Sequence, residues 1–388
     1  PSILPAPQVH NSLTAQSTDD EAQIIVQAMS DEMARTRTMK LNPLAEPYFI
    51  DYRIARVRQS YIRSVLGGTV VRTHNPIRTI GSVNLLLGDS CLTSEVRSGQ
   101  ATQLTLADEV GYDDIRLQLW KATDAMYKYA AGSLSSKHNY LAQHPRSQQE
   151  ARVPEMLTAP ATTNMAPSVF SRENLDDPWQ TLADHLSAVF ADYPHLYGTQ
   201  VSIERTQGDA YRLTNDPICL RQPIGYTIVE ATASTRCADG SELTDRWHHV
   251  WDANAPLPDE AALMASLKKF AEKMTAKREA DVANEYYCGP VLYEDEAVAS
   301  TFASSVANPI LIASRTIEEG SGKNSMMLGK RIIDPRLCIA QLGSTHSYNG
   351  TPLIGCYETD ADGRHPEKLE LVANGILRHI LCGRHPAM

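Results

Sequence analysis

Apolar side chains recur with the spacing of a helix in four long segments of the chain. In the first, Ile25, Met29 and Met33 follow one another at every fourth position, which places them on one helix face. The acidic residues just before them suit the positive end of the helix dipole. Similar spacing predicts three more helices, so that the four cover residues 19–38, 113–131, 179–189 and 259–281.

Between these helices, apolar and polar residues alternate with the period of a β-strand. Tyr48, Ile50 and Tyr52 share one face of such a strand, and Gly67-Gly68 is typical of a hairpin turn. The alternation predicts strands within residues 48–57, 60–74, 77–87 and 199–253, the first three forming an antiparallel meander packed against the first helix. Because helices then cover antiparallel sheets, the sequence predicts the α+β class and not a doubly wound α/β fold.

The character of the sequence changes near residue 282, where we predict a domain boundary. Residues 19–281 form the predicted N-terminal α+β domain, in which the stretch 152–177 contains proline, has no periodicity and is expected to be a long surface loop. Residues 282–388, with strands and turns punctuated by glycine, form the predicted C-terminal β-rich domain. The polar, Pro-rich residues 1–18 are expected to be a flexible N-terminal arm.

The composition narrows the class of protein. The 388 residues carry a net charge of −10, which repels phosphate, so we expect no direct contact with nucleic acid. No stretch approaches the roughly 18 consecutive apolar residues of a membrane-spanning helix, so no membrane span is expected. The 7 cysteines contain no C-x-x-C pair and are too few for a disulfide scaffold. The first residues fit either an exported chain after removal of a signal peptide or a loose arm, which leaves the compartment open.

Two groups of histidine and cysteine residues have the side chains that bind metals. His248 and His249 are neighbours on a predicted strand and point to opposite faces, so they cannot both bind one metal. We expect one at the surface and the other packed beside Trp247 or Trp251. The second group lacks the closely spaced pairs of structural zinc sites, and we expect its members to be scattered loop residues. This group comprises His346, Cys356, His365, His379, Cys382 and His385.

A third candidate lies where a short apolar segment runs into a small-residue helix predicted over residues 294–306. The segment 289–302 reads GPVLYEDEAVASTF, so the helix opens with Glu294, Asp295 and Glu296. Acidic residues at a helix N-terminus are ordinary capping chemistry, worth roughly 0.3–1 kcal/mol. On composition alone, capping explains them.

This junction, read with the residues that follow it, resembles the TldD/PmbA family, whose active members are metalloproteases. In those members the segment reads approximately G-P-x-x-x-x-H-E-A-V-x-H: the two histidines bind zinc, and the glutamate is the general base for a zinc-bound water. An ungapped alignment puts Asp295 and Glu296 at the H-E pair and Ser300 at the second histidine, so both zinc-binding histidines are absent. We interpret these three residues as a remnant of the zinc motif, and we expect no metal or other cofactor. Further segments similar to the family follow the junction in the same order, at 329–335, 348–355, 360–363 and 369–381, and residues 48–53 near the amino end resemble the opening strand of longer members.

The resemblance implies an α+β fold with two domains of the TldD/PmbA type and a cytoplasmic location. It also implies a dimer, formed with a second copy or with a TldD-like subunit. Because the histidines are missing, the chain is closer to the PmbA-like branch. Active members continue past the 369–381 hairpin into a segment that supplies a cysteine ligand, so the C-terminal domain is expected to be incomplete relative to the family.

The missing histidines leave two hypotheses about function. In the first, the chain is a non-catalytic protease homologue that binds an unfolded peptide at a sheet edge or forms a dimeric protease-like assembly. The alternative is an active peptide hydrolase with an atypical site, in which Glu296 acts as general base with an unusual metal or none. A third hypothesis, regulation of DNA topology as the family's older name implies, would act through another protein because of the negative charge.

Overall fold

One large sheet with covering helices makes up most of the described chain, and three small sheets follow it. The computed structural model describes residues 18–40, 46–74, 76–96, 100–148, 152–170, 176–252, 257–281, 286–294, 296–312, 315–316, 320–321 and 327–385. The helices are α1 (Thr18–Arg37), α2 (Tyr112–Gln143), α3 (Asp176–Ala188), α4 (Glu260–Glu279) and α5 (Glu296–Phe302), with a 3-10 turn at Val189–Asp192 and a π-helical segment at Ala303–Leu311.

The strands divide into one sheet of eight and three small sheets. The large sheet contains β1 (Phe49–Val65), β2 (Gly68–His74), β3 (Arg78–Leu86), β4 (Thr102–Leu106), β5 (Thr162–Met165), β6 (Tyr197–Thr214), β7 (Ile218–Arg236) and β8 (Glu242–Asp252). The small sheets contain β9 (Arg315–Thr316), β10 (Gly320–Ser321), β11 (Ile339–Gln341), β12 (Ser347–Tyr348), β13 (Thr351–Pro352), β14 (Leu369–Ala373) and β15 (Ile376–Leu377).

The large sheet has the strand order β4-β3-β1-β6-β7-β5, with β2 paired to β1 and β8 paired to β7. Three strands are long, at 17, 18 and 19 residues for β1, β6 and β7, so each has different neighbours along its length. β1, for example, pairs with β3 near its start and with β2 near its end. The pairs are antiparallel except for β5, which lies parallel to β7.

Four helices pack against one face of this sheet and bury two hydrophobic clusters. Helices α1 and α2 cover the first cluster, to which the sheet contributes Ile54 and Tyr211. Helices α3 and α4 cover the second, to which it contributes Ile62 and Ile203. Residues separated by an even number along a strand point to the same face, so both clusters lie on the same side of β1 and β6.

Charged side chains are buried on the same face, on the stretches of β1 and β6 that separate the two clusters. Arg56 forms an ion pair with Glu21, and Asp209 accepts a hydrogen bond from the Ser168 hydroxyl. Burial raises the pKa of Asp209, and the nearby Arg221 and Arg56 only partly oppose this effect. The two apolar cores are therefore separated by charged side chains. Burying these side chains is tolerable only because they form hydrogen bonds and ion pairs.

The structure confirms the α+β class and all four long helices. Helices α1, α3 and α4 bury the apolar residues predicted to be buried, among them Ile25, Leu186 and Leu267. The structure joins the first predicted strand to the first half of the second, because β1 runs without a break to Val65 and turns at Leu66 and Gly67.

Two further expectations need correction, and a third is untested. Residues 162–165 of the predicted loop 152–177 form β5, and its last two residues already belong to α3. Helix α2 extends well beyond its predicted end at residue 131, and β4 was not predicted. The predicted arm 1–18 lies outside the described residues except for Thr18, which begins α1.

The residues after 305 form a small hydrophobic cluster of their own. Its buried members are Leu311, Leu371, Val372, Leu377 and Ile380. The domain boundary near residue 282 stays a prediction. Within the described ranges, no helix combines the length and apolar character needed to cross a bilayer.

Candidate functional site

The residues that the sequence resemblance aligns with the family's zinc motif lie at the start of α5, beside the edge of the large sheet. Glu296 is the first residue of this helix, and its Oε1 accepts a hydrogen bond from Arg246 Nη2 of β8 at 3.2 Å. Arg246 also lies 3.8 Å from the carboxylate of Glu230 on β7. The side chains of Glu296 and Arg246 are both more than half exposed, so this contact is a surface ion pair.

Of the other two aligned positions, only Ser300 is among the described residues. Asp295 lies outside the described residues. Ser300 is exposed one helical turn after Glu296, and its carbonyl accepts a hydrogen bond from Ser304 Oγ at 2.9 Å. A carboxylate and a hydroxyl do not provide the nitrogen and sulfur ligands typical of zinc. In the described part of the chain, no three His, Cys, Asp or Glu side chains are grouped so that they could hold a metal ion.

Large apolar side chains are exposed around this helix. Tyr286 is 96% exposed and Leu292 is 84% exposed, and α5 buries none of its residues. We call this set the junction surface; it comprises Tyr286, Tyr287, Val291, Leu292, Tyr293, Val298 and Phe302. Several large exposed apolar side chains this close together in the sequence are typical of a surface that contacts another molecule.

Strand β8 borders the ion pair and is an edge strand among the described elements. Among the described strands it pairs with β7 alone, so its outer edge has no neighbouring strand there. On one face, the His249 ring lies between Trp247 and Trp251, with centroid distances of 4.8 and 5.7 Å. His248 lies on the opposite face, but both histidines are exposed, so the expected surface histidine is found while the other is only partly packed between the tryptophans. Burial, and then the adjacent His248, lower the pKa of His249.

The second group of histidines and cysteines is mostly dispersed, as expected. Three of its histidines use Nδ1 to contact a backbone carbonyl: His365 that of Glu358, His379 that of Glu370 and His385 that of Glu155, at 2.7 to 2.8 Å.

One pair from that group does come together. Cys356 Sγ lies 3.1 Å from His346 Nδ1. Sequence reasoning missed this contact because ten positions separate the two residues. The available signal was Asn349-Gly350, a two-residue hairpin turn near the midpoint of that interval.

The opposite face of the large sheet contains a cavity of about 270 Å³ lined in part by Arg53, Arg212 and Gln222. Its arginines are already paired, because Arg212 donates to both carboxylate oxygens of Asp51 at 2.9 Å and lies 3.5 Å from Asp362. Burial raises the pKa of Asp362 although Arg212 opposes it. These arginines therefore neutralise neighbouring carboxylates of the protein and do not provide an open anion site.

Comparison with known proteins identifies the fold. No family model matches the sequence, and no curated protein is similar to it. A Thermotoga maritima structure described as a candidate modulator of a DNA gyrase has a TM-score of 0.57 and 11% identity, covering 92% of this chain and 70% of that one. TldE from Thermococcus kodakarensis has a TM-score of 0.54 and 9% identity, covering 91% and 69%. A candidate modulator of DNA gyrase from Bacteroides thetaiotaomicron has a TM-score of 0.55 and 11% identity, covering 95% and 73%. At these identities the likeness shows a common fold, which is the fold that the sequence resemblance implied.

Proposed function

We propose that this chain, which has the fold of the TldD and DNA-gyrase-modulator structures, is a non-catalytic homologue of the TldD/PmbA metalloproteases. In this proposal it binds unfolded peptide and works as one subunit of a dimer, and its closest functional counterparts are PmbA-like members. The observation that carries the proposal is the start of α5. There lie Glu296 and Ser300, which the sequence resemblance aligns with zinc-motif positions, and the carboxylate of Glu296 accepts a hydrogen bond from Arg246.

The engaged carboxylate argues against a role as general base. A general base must approach the water or hydroxyl from which it takes a proton, within about 2.6–3.2 Å. Oε1 of Glu296 instead lies 3.2 Å from the guanidinium of Arg246. A guanidinium only donates hydrogen bonds and does not give up a proton to a base. The alternative of a hydrolase that uses Glu296 therefore needs either its other oxygen, Oε2, to act as the base or the ion pair with Arg246 to open.

The junction surface supports a subunit interface. Its apolar side chains are exposed in the isolated chain, and covering them with a second copy or a TldD-like subunit removes that area from water. The interface would include α5 itself, so the remnant motif would lie close to the partner. The unpaired edge of β8 next to it is a place where an extended peptide adds as a further strand.

Metal analysis and digestion of an unfolded protein test the catalytic status. We expect the chain, purified without chelator or added metal, to contain no stoichiometric zinc and to leave casein intact. The Glu296→Gln variant should behave like the parent, with Glu294→Gln as the matched control at the neighbouring carboxylate. Stoichiometric zinc together with chelator-sensitive cleavage that Glu296→Gln abolishes would establish the hydrolase instead.

Size-exclusion chromatography with light scattering tests the assembly. The chain should form a dimer alone or with a relative that carries the HExxxH motif. Leu292→Glu places a charge on the junction surface and should shift the dimer toward monomer, because a buried unpaired charge is costly. Leu117→Glu, on the exposed side of α2, is the control and should leave the mass unchanged. A chain that stays monomeric at all concentrations, alone and with the relative, contradicts the subunit role.

A further inference from the structure

Three side chains near the β12–β13 hairpin form a hydrogen-bonded chain of thiol, imidazole and carboxylate. Cys356 Sγ lies 3.1 Å from His346 Nδ1, and His346 Nε2 lies 3.2 Å from Glu358 Oε1. The imidazole is in the middle, so the thiol and the carboxylate contact different ring nitrogens. This order of groups is the arrangement of nucleophile, base and orienting acid used in covalent catalysis.

The hairpin brings these residues together. Asn349 and Gly350 both have positive φ, at 49° and 79°, which is the geometry of a tight two-residue hairpin turn. The returning chain is held by hydrogen bonds from Leu353 N to the His346 carbonyl and from Tyr357 N to the Gly343 carbonyl, both 2.9 Å long. The hairpin therefore brings the Cys356 thiol next to the His346 imidazole.

Further contacts hold the segment that carries the carboxylate. Cys356 and Glu358 are two positions apart, and the hydroxyl oxygen of Tyr357 between them accepts a hydrogen bond from Gln341 Nε2 at 3.2 Å. The carbonyl of Glu358 contacts His365 Nδ1 at 2.8 Å, which holds this part of the backbone in place. The triad is thus supported by groups outside itself.

The chemistry of the three groups sets the positions of the protons. An ionised carboxylate only accepts hydrogen bonds, so His346 Nε2 carries the proton that it donates to Glu358. In a neutral imidazole, Nδ1 is then the acceptor, and it faces the thiol. His346 is accordingly oriented to take the proton of Cys356, and the thiolate that results is the nucleophilic form of cysteine.

We propose that Cys356, His346 and Glu358 form a nucleophilic thiol site that accepts acyl groups from thioesters. His346 and Glu358 are 65% and 64% exposed, so the site is open to solvent. Gly355, next to the nucleophile, has open space where a side chain would stand. On such a surface a developing oxyanion is only weakly stabilised, which favours an activated acyl donor over a peptide bond.

The reaction is an acyl exchange followed by hydrolysis. His346 Nδ1 takes the proton of the Cys356 thiol, Sγ forms a bond to the carbonyl carbon, and the carbon–sulfur bond of the donor breaks. The leaving thiolate receives the proton from His346, so a thiol departs and Cys356 carries the acyl group. Water then attacks that carbon and gives its proton to His346, and the bond to Sγ breaks as Sγ takes the proton back. The sum is thioester plus water giving carboxylic acid plus thiol.

Acetylation by phenyl thioacetate, followed by mass spectrometry of each cysteine-containing peptide, tests the site in the full chain. The exposed thiols of Cys338 and Cys382 are references within the same molecule. Cys356 should be acetylated faster than either of them by at least about 10-fold, since general-base assistance is typically worth more than that. Thiophenol release should continue past the 7 equivalents that acetylation of every cysteine in the chain could account for, which shows that the acyl group is hydrolysed, and Cys356→Ser should abolish this turnover.

Two variants and a control separate the triad from an ordinary reactive cysteine. His346→Ala should reduce the rate at Cys356 to that of Cys338, and Glu358→Gln should reduce it in part, while the rate at Cys338 is unchanged in both. His379→Ala removes a histidine that contacts only a backbone carbonyl and should change neither rate. Equal rates at Cys356 and Cys338 in the parent, or a rate at Cys356 that is unaffected by His346→Ala, would overturn the proposal.

Discussion

A buried carboxylate, Glu155, connects three separate parts of the N-terminal half. Its Oε2 accepts hydrogen bonds from Lys137 Nζ of α2 at 2.7 Å and from Thr93 N at 2.8 Å. Arg146 forms a second ion pair with its other oxygen. Lys137 and Glu155 are almost fully buried, so each depends on the other to remain charged inside the protein.

Removing Lys137 should therefore be costly. We expect Lys137→Ala to reduce the free energy of unfolding by about 3–5 kcal/mol, because it leaves the Glu155 carboxylate buried without its main partner. Lys128→Ala removes a similar contact, with Asp124, on the exposed side of the same helix and should cost less than about 1 kcal/mol. Urea unfolding of both variants measures the difference, and equal losses would show that burial does not control the energy of this pair.

The same carboxylate predicts a dependence of stability on pH. Burial raises the pKa of Glu155, but hydrogen bonds and charge from Lys137 and Arg146 outweigh burial, so its pKa lies below the ordinary 4.5. Its stabilising contribution is therefore present above pH 4.5 and is lost as the pH falls through the lower pKa of the folded state. Glu155→Gln should be less stable than the parent at pH 7, and urea unfolding should show this gap narrowing below pH 4.5. A constant gap would contradict the assignment.

The contacts of individual side chains are hard to predict from the sequence when the two partners are far apart along the chain. His248 and His249 could be placed because neighbours on a strand alternate between faces, a purely local rule. The contact between His346 and Cys356 depends on how a hairpin closes, and the contact between Glu296 and Arg246 joins residues fifty positions apart. No periodicity in the sequence encodes either of these contacts.

Among the elements, two Asn-Gly turns have the same backbone geometry in different surroundings. Gly350 and Gly375 have φ of 79° and 76°, and each follows an asparagine that also has positive φ. A side chain at Gly350 would meet open space, whereas one at Gly375 would lie 2.5 Å from the carbonyl oxygen of Ile333. Gly375 is therefore favoured both by its positive φ and by the close approach of the Ile333 carbonyl, whereas Gly350 is favoured by its positive φ alone.

Alanine at these two positions separates backbone conformation from steric contact. Gly350→Ala should cost about 1–2 kcal/mol, the price of a left-handed conformation for a residue with a side chain. Gly375→Ala adds overpacking against Ile333 and should cost about 2–5 kcal/mol in total. Urea unfolding monitored by circular dichroism compares them; if both variants lose the same amount, the close approach to Ile333 has no energetic weight.

Elements with regular apolar spacing were predictable, and those held by distant backbone partners were not. The buried stripe of α4, with Leu263, Leu267 and Phe270, is visible in the sequence and buried in the structure. Strand β5 reads Thr-Thr-Asn-Met and has no such pattern. Its ends are held by hydrogen bonds from Thr162 N to the Pro217 carbonyl at 2.8 Å and from Ala166 N to that of Arg221 at 3.1 Å. Likewise, the polar second half of α2 is anchored through the buried Lys137.

For the whole molecule, the end of the described chain docks against the large sheet. The Arg384 guanidinium lies 4.7 Å from the centre of the Phe49 ring, forms an ion pair with Asp216 and donates from Nε to the Leu157 carbonyl at 2.9 Å. Next to it, His385 contacts the Glu155 carbonyl. One arginine thus joins the last described residues to β1 and to the segments that flank β5 and β7.

Arg384→Ala should loosen this connection. We expect a loss of about 1–3 kcal/mol, because the side chain is buried and makes three different contacts. Arg336→Ala removes an exposed arginine paired with Asp334 and should cost less than about 0.5 kcal/mol. Limited proteolysis after residue 286 should become faster in Arg384→Ala alone, and unchanged proteolysis would show that the end of the chain docks without this residue.

Strand β5 sets an order of events during folding. Its partners on β7 come after α3 and β6 in the chain, so this four-residue strand pairs only once the intervening segment has closed into a loop. Pairings of this non-local, parallel kind form slowly. Asn164 of β5 in turn donates a hydrogen bond to Thr359 Oγ1 at 2.7 Å, so the segment around Thr359 gains that contact only after β5 is in place. We expect these two segments to assemble last and to exchange their amide hydrogens first.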